Sequence, residues 1–116
     1  MKTGDNLYYI YMARCGDNSL YTGITTDPVR RFKEHLSKNK KGAKYTATHG
    51  IVTFAALWST DSGRSGASKL ESFLKKLSKN EKEGLVKNPS EINTKYGEYF
   101  GDIKFDAQNA DSYVLN

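Results

Sequence analysis

Among the residue types in this chain that can do chemistry are phenols such as Tyr11 and Tyr21, a guanidinium such as Arg31 and a carboxylate such as Glu71. A phenol can pass a proton, a guanidinium can stabilise an oxyanion, and a carboxylate can hold a hard divalent cation. That set suits attack by water on a phosphodiester. The reaction needs an activated water, a neutraliser for the extra equatorial charge and help for the leaving oxygen. The phenol is the difficult part. Its ordinary pKa of about 10 keeps it protonated at neutral pH unless a nearby cation favours phenolate. With Cys15 as the single cysteine and His35 and His49 as the two histidines, ligands are too few for a zinc site of Cys and His. No intrachain disulfide can form either, which fits a reducing cytoplasm, and Cys15 reads as a small residue ending a strand.

These residues need elements to place them. LYYIYMAR (7–14) and LYTGIT (20–25), separated by CGDNS, read as a β-hairpin. Alternation puts Ile10, Met12, Leu20 and Ile24 on a core face and Tyr9, Tyr11, Tyr21 and Gly23 on the other. Bringing Tyr11 and Tyr21 together requires an odd-with-odd register, and hence a loop of about three or five residues. Asp27 and Pro28 open a helix as N-cap and first helical residue. It runs to about Ser37, burying Val29, Phe32 and Leu36, with Arg31 and His35 one turn apart on its flank.

A polar, basic loop follows from Lys38 to Thr48, then a third strand, IVTFAALWS (51–59). The next helix turns Leu70, Phe73, Leu74 and Leu77 inward and carries Glu71 and Lys75 on its flank. Glu71 is the only acid between Asp61 and Glu81. Ser78 and Glu81 match a capping box, which predicts a further short helix to about Lys87, ended by Asn88 and Pro89. The expected fold is α+β: a small three-stranded antiparallel sheet packed by helices, in the order β-β-α-β-α-α. Residues 1–87 form the expected domain. Residues 88–116 form an acidic C-terminal extension in which YGEYFGDIKF is a strand or an ordered loop, and the remainder has the composition of a partly disordered segment.

Charge is unevenly placed. The chain of 116 residues carries a net +5. Lys95 and Lys104 against Glu91, Glu98, Asp102, Asp106 and Asp111 leave residues 88–116 at −3 and residues 1–87 at +8. Seven of the cations fall between Arg30 and Lys44, with Glu34 the only acid among them. Such a block suits a polyanion, because each neutralised phosphate releases condensed counterions; the alternative is a solvated, solubilising surface. No stretch has the run of about 20 apolar residues that spans a bilayer.

Taken together, YIY (9–11), YTGIT (21–25), RRF followed by His35, and KLE (69–71) resemble the GIY-YIG nuclease family. The likeness is strongest to its small stand-alone bacterial branch, and GAKYT (42–46) adds to it. It covers roughly residues 7–87. The chain departs from the family pattern at Tyr9, which stands for the first glycine, and at Thr22, the middle residue of the second motif.

The resemblance implies an endonuclease that hydrolyses phosphodiester bonds in DNA with Mg²⁺ or Mn²⁺. Tyr11 stands where the family has its proposed general base, with Tyr9 on the same face as the alternative. Tyr21 and Gly23 begin and end the second motif; Gly23, across from Tyr11, would clear space for backbone or phosphate. Arg31 stands for the arginine that faces the scissile phosphate, and Glu71 for the metal-binding carboxylate. His35 is a phosphate contact or a structural hydrogen bond. Lys41, Lys44 and Tyr45 are expected DNA-backbone contacts. A DNA partner read by structure rather than by sequence, a role in DNA repair and a cytoplasmic location go with the same reading. Two other readings stay open: a catalytically inert nucleic-acid-binding module of the same fold, and a nuclease subunit docking an acidic protein partner.

Overall fold

The computed structural model describes residues 7–39 and 51–110, without the side chains of residues 35–39, 51 and 52. A hairpin lies at its centre. Strand β1 (Tyr8–Cys15) pairs antiparallel with β2 (Leu20–Thr25), and Tyr11 stands opposite Gly23. The odd-with-odd register expected from the face argument is therefore present. Residues 15–19 close it: Cys15 N donates to Ser19 O at 2.9 Å and Asn18 N to Cys15 O at 2.8 Å. The Asp17 carboxylate accepts from Ser19 N at 3.1 Å and Ser19 Oγ at 2.6 Å. Asn18 takes φ 72°, a left-handed conformation that asparagine tolerates better than most residues.

Helix α1 (Pro28–Asn39) starts where Asp27 Oδ1 accepts from Arg30 N at 3.1 Å. Strand β3 (Ile51–Thr60) lies on the other side of β1. Helix α2 (Gly63–Lys75) packs on β1 and β2, and α3 (Lys79–Lys87) begins with the expected capping box between Ser78 and Glu81. A 3₁₀ turn (Pro89–Ile92), a one-turn helix α4 (Gly97–Phe100) and a two-residue strand β4 (Asp106–Ala107) complete the described chain. No helix among the described residues is long and apolar enough to cross a membrane.

The sheet has four strands in the order β2-β1-β3-β4, which corrects the expected three. The fourth comes from the C-terminal segment, where Ala107 pairs with Trp58 and Asp106 with Ser59. Packing does not break after residue 87. Ile92, Phe100 and Phe105 are buried in the same cluster as Ile10, Met12, Trp58, Leu70 and Leu74. Burying side chains of this size is worth roughly 1.5–3 kcal/mol each. Polar anchors fix the segment as well: Trp58 Nε1 donates to Pro89 O at 2.8 Å, and Phe105 N donates to Asn93 Oδ1 at 3.1 Å.

Both faces of the sheet are covered. Ile10, Met12, Ala56 and Trp58 meet α2, α3 and the C-terminal segment, with Leu20 and Ile24 packed against them. The opposite face holds a second cluster of Tyr11, Ala13, Cys15, Phe32, Phe54 and Leu57, with α1 supplying Phe32. A register shift in β3 shapes that second cluster. Met12 pairs with Ala56 but Ala13 pairs with Phe54, so Ala55 is skipped as a bulge. The skip moves Phe54 onto the tyrosine face beside Leu57.

Candidate active site

The sequence-selected residues are carried by four elements. Tyr11 lies at the middle of β1, Tyr21 and Gly23 on β2, Arg31 in the first turns of α1 and Glu71 on α2. Tyr11 sits among Phe32, Phe54 and Leu57, its ring centroid 4.9 Å from that of Phe54 and 6.4 Å from that of Tyr21. Only 1% of Tyr11 is exposed. Tyr11 is therefore packed inside the domain on the face that strand alternation assigns to it. Alternation assigns a face, whereas α1 and the Ala55 bulge decide that this face is covered.

Gly23 takes part in the same packing, by another route than expected. A Cβ on it would stand 2.6 Å from Tyr11 Cζ. The space left by the missing side chain is filled by the phenol itself rather than held open for a phosphate. Gly23→Ala is accordingly expected to cost about 1–3 kcal/mol, as overpacking in a closed core does. Urea unfolding in a double-mutant cycle checks the cause. A Tyr11→Leu background, lacking the phenol tip, should tolerate the same change with little loss. Equal costs in both backgrounds would show that the clash is elsewhere.

The buried ring has a charged neighbour at its polar end. Arg31 Nε donates to the Tyr11 hydroxyl at 3.4 Å, and Arg31 Nη1 donates to Glu34 Oε1 at 3.0 Å. Burial pushes the Tyr11 phenol up to about 12; the Arg31 hydrogen bond and charge pull it back, while Tyr21 and Glu71 add to the rise. The expected lowering by Arg31 is thus outweighed by desolvation. The consequence for stability has a definite sign. The folded value of about 12 exceeds the ordinary 10.0, so the stabilisation is complete below pH 10 and is lost as pH rises through 12. Between pH 9 and 11.5 the wild-type chain should lose about 2 kcal/mol more than Tyr11→Phe, measured by urea unfolding at both pH values. Equal losses would put the phenol at its ordinary value.

Glu71 comes from the helix that packs on the other sheet face, beside edge strand β2. Its carboxylate pairs with Lys75 Nζ at 3.3 Å, with 27% of the Glu71 side chain and 57% of the Lys75 side chain exposed. Its charge is still felt at the Tyr11 phenol. Among the described residues no three His, Cys, Asp or Glu side chains cluster as a metal site. A single carboxylate with an exposed, weakly held lysine partner is a donor that Mg²⁺ or Mn²⁺ can use, since such ions keep several waters.

The structure therefore brings Tyr11, Tyr21, Gly23 and Arg31 into contact or near contact, while Glu71 lies on α2 with Lys75 as its ion-pair partner. His35 belongs to α1, but its side chain is not described, and Lys41, Lys44 and Tyr45 lie outside the described residues. Tyr9, the alternative base, packs against the same cluster as Tyr11. Sequence reading missed Glu34 as a member of the site. Its Oε2 accepts from Arg30 Nη1 at 2.8 Å while its Oε1 holds Arg31. The signal was available in the three- and four-residue spacing from the two arginines.

Residues 7–84 match the family described as GIY-YIG catalytic domain. A UPF0213 protein of Fusobacterium nucleatum is 48% identical over 82 residues, covering 71% of this chain and 79% of that protein. A UPF0213 protein of Vibrio cholerae is 41% identical over 87 residues, covering 73% of this chain and 82% of the other. The solution NMR structure of a UPF0213 protein from Bacillus halodurans is 41% identical and covers 77% of this chain and 95% of that one, with a TM-score of 0.45.

Proposed function

The chain belongs to the GIY-YIG family, in its small stand-alone bacterial branch, and from that premise we propose that it is a metal-dependent endonuclease hydrolysing phosphodiester bonds in DNA. One observation carries the reading. Arg31 donates to the hydroxyl of a tyrosine packed over Gly23.

In this reading Arg31 neutralises charge that develops on the equatorial phosphate oxygens. Tyr11 activates the attacking water, and it needs more positive charge nearby than Arg31 alone supplies to give up its own proton. Tyr21 flanks the phenol and keeps bulk water from its ring. Glu71 would hold the Mg²⁺ or Mn²⁺, which when bound supplies a Lewis acid for the phosphate and the leaving oxygen. Lys41, Lys44 and Tyr45 contact the DNA backbone, and His35 contacts a phosphate. Such contacts read shape and charge rather than base sequence.

A second reading, an inert nucleic-acid-binding module, draws support from the 1% exposure of Tyr11 and its raised pKa. Incubation of supercoiled plasmid with the full chain, with Mn²⁺ or Mg²⁺ and with a chelator, separates the two. Nicked circles are expected only with metal. Retarded but intact plasmid under every condition would favour the module.

A further inference from the structure

Glu34 sits where two arginines of α1 converge. Its two carboxylate oxygens take different partners, Arg30 Nη1 at 2.8 Å and Arg31 Nη1 at 3.0 Å. Arg30 is itself drawn toward the start of the helix, with its Nε 3.8 Å from Asp27 Oδ2. Arg31 commits its remaining inner nitrogen, Nε, to the Tyr11 hydroxyl at 3.4 Å. A guanidinium is planar and rigid, so fixing Nε at one oxygen and Nη1 at another fixes the whole group. Nη2 then has no partner among the described residues. The bond to Tyr11 could not orient Arg31 unaided, since at 3.4 Å it is long for a hydrogen bond. The second arm is Glu34.

We propose that Glu34 is a positioning residue: clamped between Arg30 and Arg31, it holds the Arg31 guanidinium with Nε on Tyr11 and leaves Nη2 for a phosphate oxygen. The phosphate half of this statement rests on the nuclease reading; the orientation of Arg31 does not. The Arg31 hydrogen bond also holds the Glu34 carboxyl below its ordinary value, so the clamp stays charged through neutral pH. A carboxylate beside a phosphate site opposes binding of a polyanion. It earns its place only by orientation, and that gives the proposal a signature. Removing Glu34 should leave DNA affinity equal or tighter while slowing the chemical step.

The test uses the full chain, ¹⁵N-labelled, as wild type and Glu34→Ala. In the wild type the Arg31 Nε–Hε correlation, assigned by its absence in Arg31→Ala, is expected to be resolved and slow to exchange at neutral pH. In Glu34→Ala it should shift and exchange faster, with the melting temperature unchanged. Single-turnover cleavage at saturating DNA should fall about tenfold, the scale of loss when a reacting group is misplaced. An unchanged Arg31 signal would overturn the proposal, as would a rate and an affinity that fall together. A wild type that binds DNA without cutting it would sink the nuclease reading, while the Arg31 signal would still decide the orientation.

Discussion

Arg31→Ala is expected to slow single-turnover cleavage at saturating DNA by about 10²–10³-fold, or about 2.7–4 kcal/mol, the loss found when one preorganised donor to a developing oxyanion is removed. The geometry is specific to this arginine. It is only partly exposed, with 27% of its side chain open to solvent, and two of its nitrogens are committed to Tyr11 and Glu34. Truncation also leaves the buried phenol without its charged neighbour. Lys41→Ala is the control. A loop lysine should weaken binding for all sequences alike and reduce the salt slope by about one phosphate contact, with the saturated rate near that of the wild type. Equal saturated rates for the two variants would make Arg31 one more backbone contact and favour the binding module.

Glu71→Gln should remove metal-dependent cleavage altogether while DNA binding stays near normal. The amide keeps the shape of the carboxylate and gives up the charge that a hard cation requires. Stability should move by no more than about 0.5 kcal/mol, because the ion pair of Glu71 with Lys75 is an i,i+4 contact to an exposed lysine. The substitution also takes away a charge that raises the Tyr11 pKa, so the alkaline titration of that phenol should begin slightly earlier. A variant that melts several degrees early would mark Glu71 as a structural residue. One that still cuts with Mn²⁺ would move the metal elsewhere.

Sequence reading went furthest where local rules act without competition. The hairpin register followed from alternation plus a loop of suitable length, and Tyr11 opposite Gly23 was legible for that reason. Both helix starts, at Asp27 and at Ser78, are side-chain caps that need no tertiary partner. The tail was harder. Ile92, Phe100 and Phe105 enter the core one at a time between charged residues, so they leave no period to detect, and a strand of two residues has no alternation. The burial of Tyr11 depends on Phe54 reaching its face through the Ala55 bulge, and a bulge breaks the very period used to assign faces. Candidate chemistry was thus easier to read than its accessibility. Residue types carry the former, and the latter belongs to distant parts of the chain.

The C-terminal segment also sets an order of events for a chain still being made. Trp58 and Leu70 leave the ribosome well before Phe100 and Phe105, the aromatic side chains that close the cluster around them. At about 5–20 residues per second, the sheet emerges seconds before it can be covered. During that interval the hairpin can form from local contacts, but the apolar face of β3 stays open to solvent and to chaperones. Truncation near residue 84, where the family match ends, would make that transient exposure permanent.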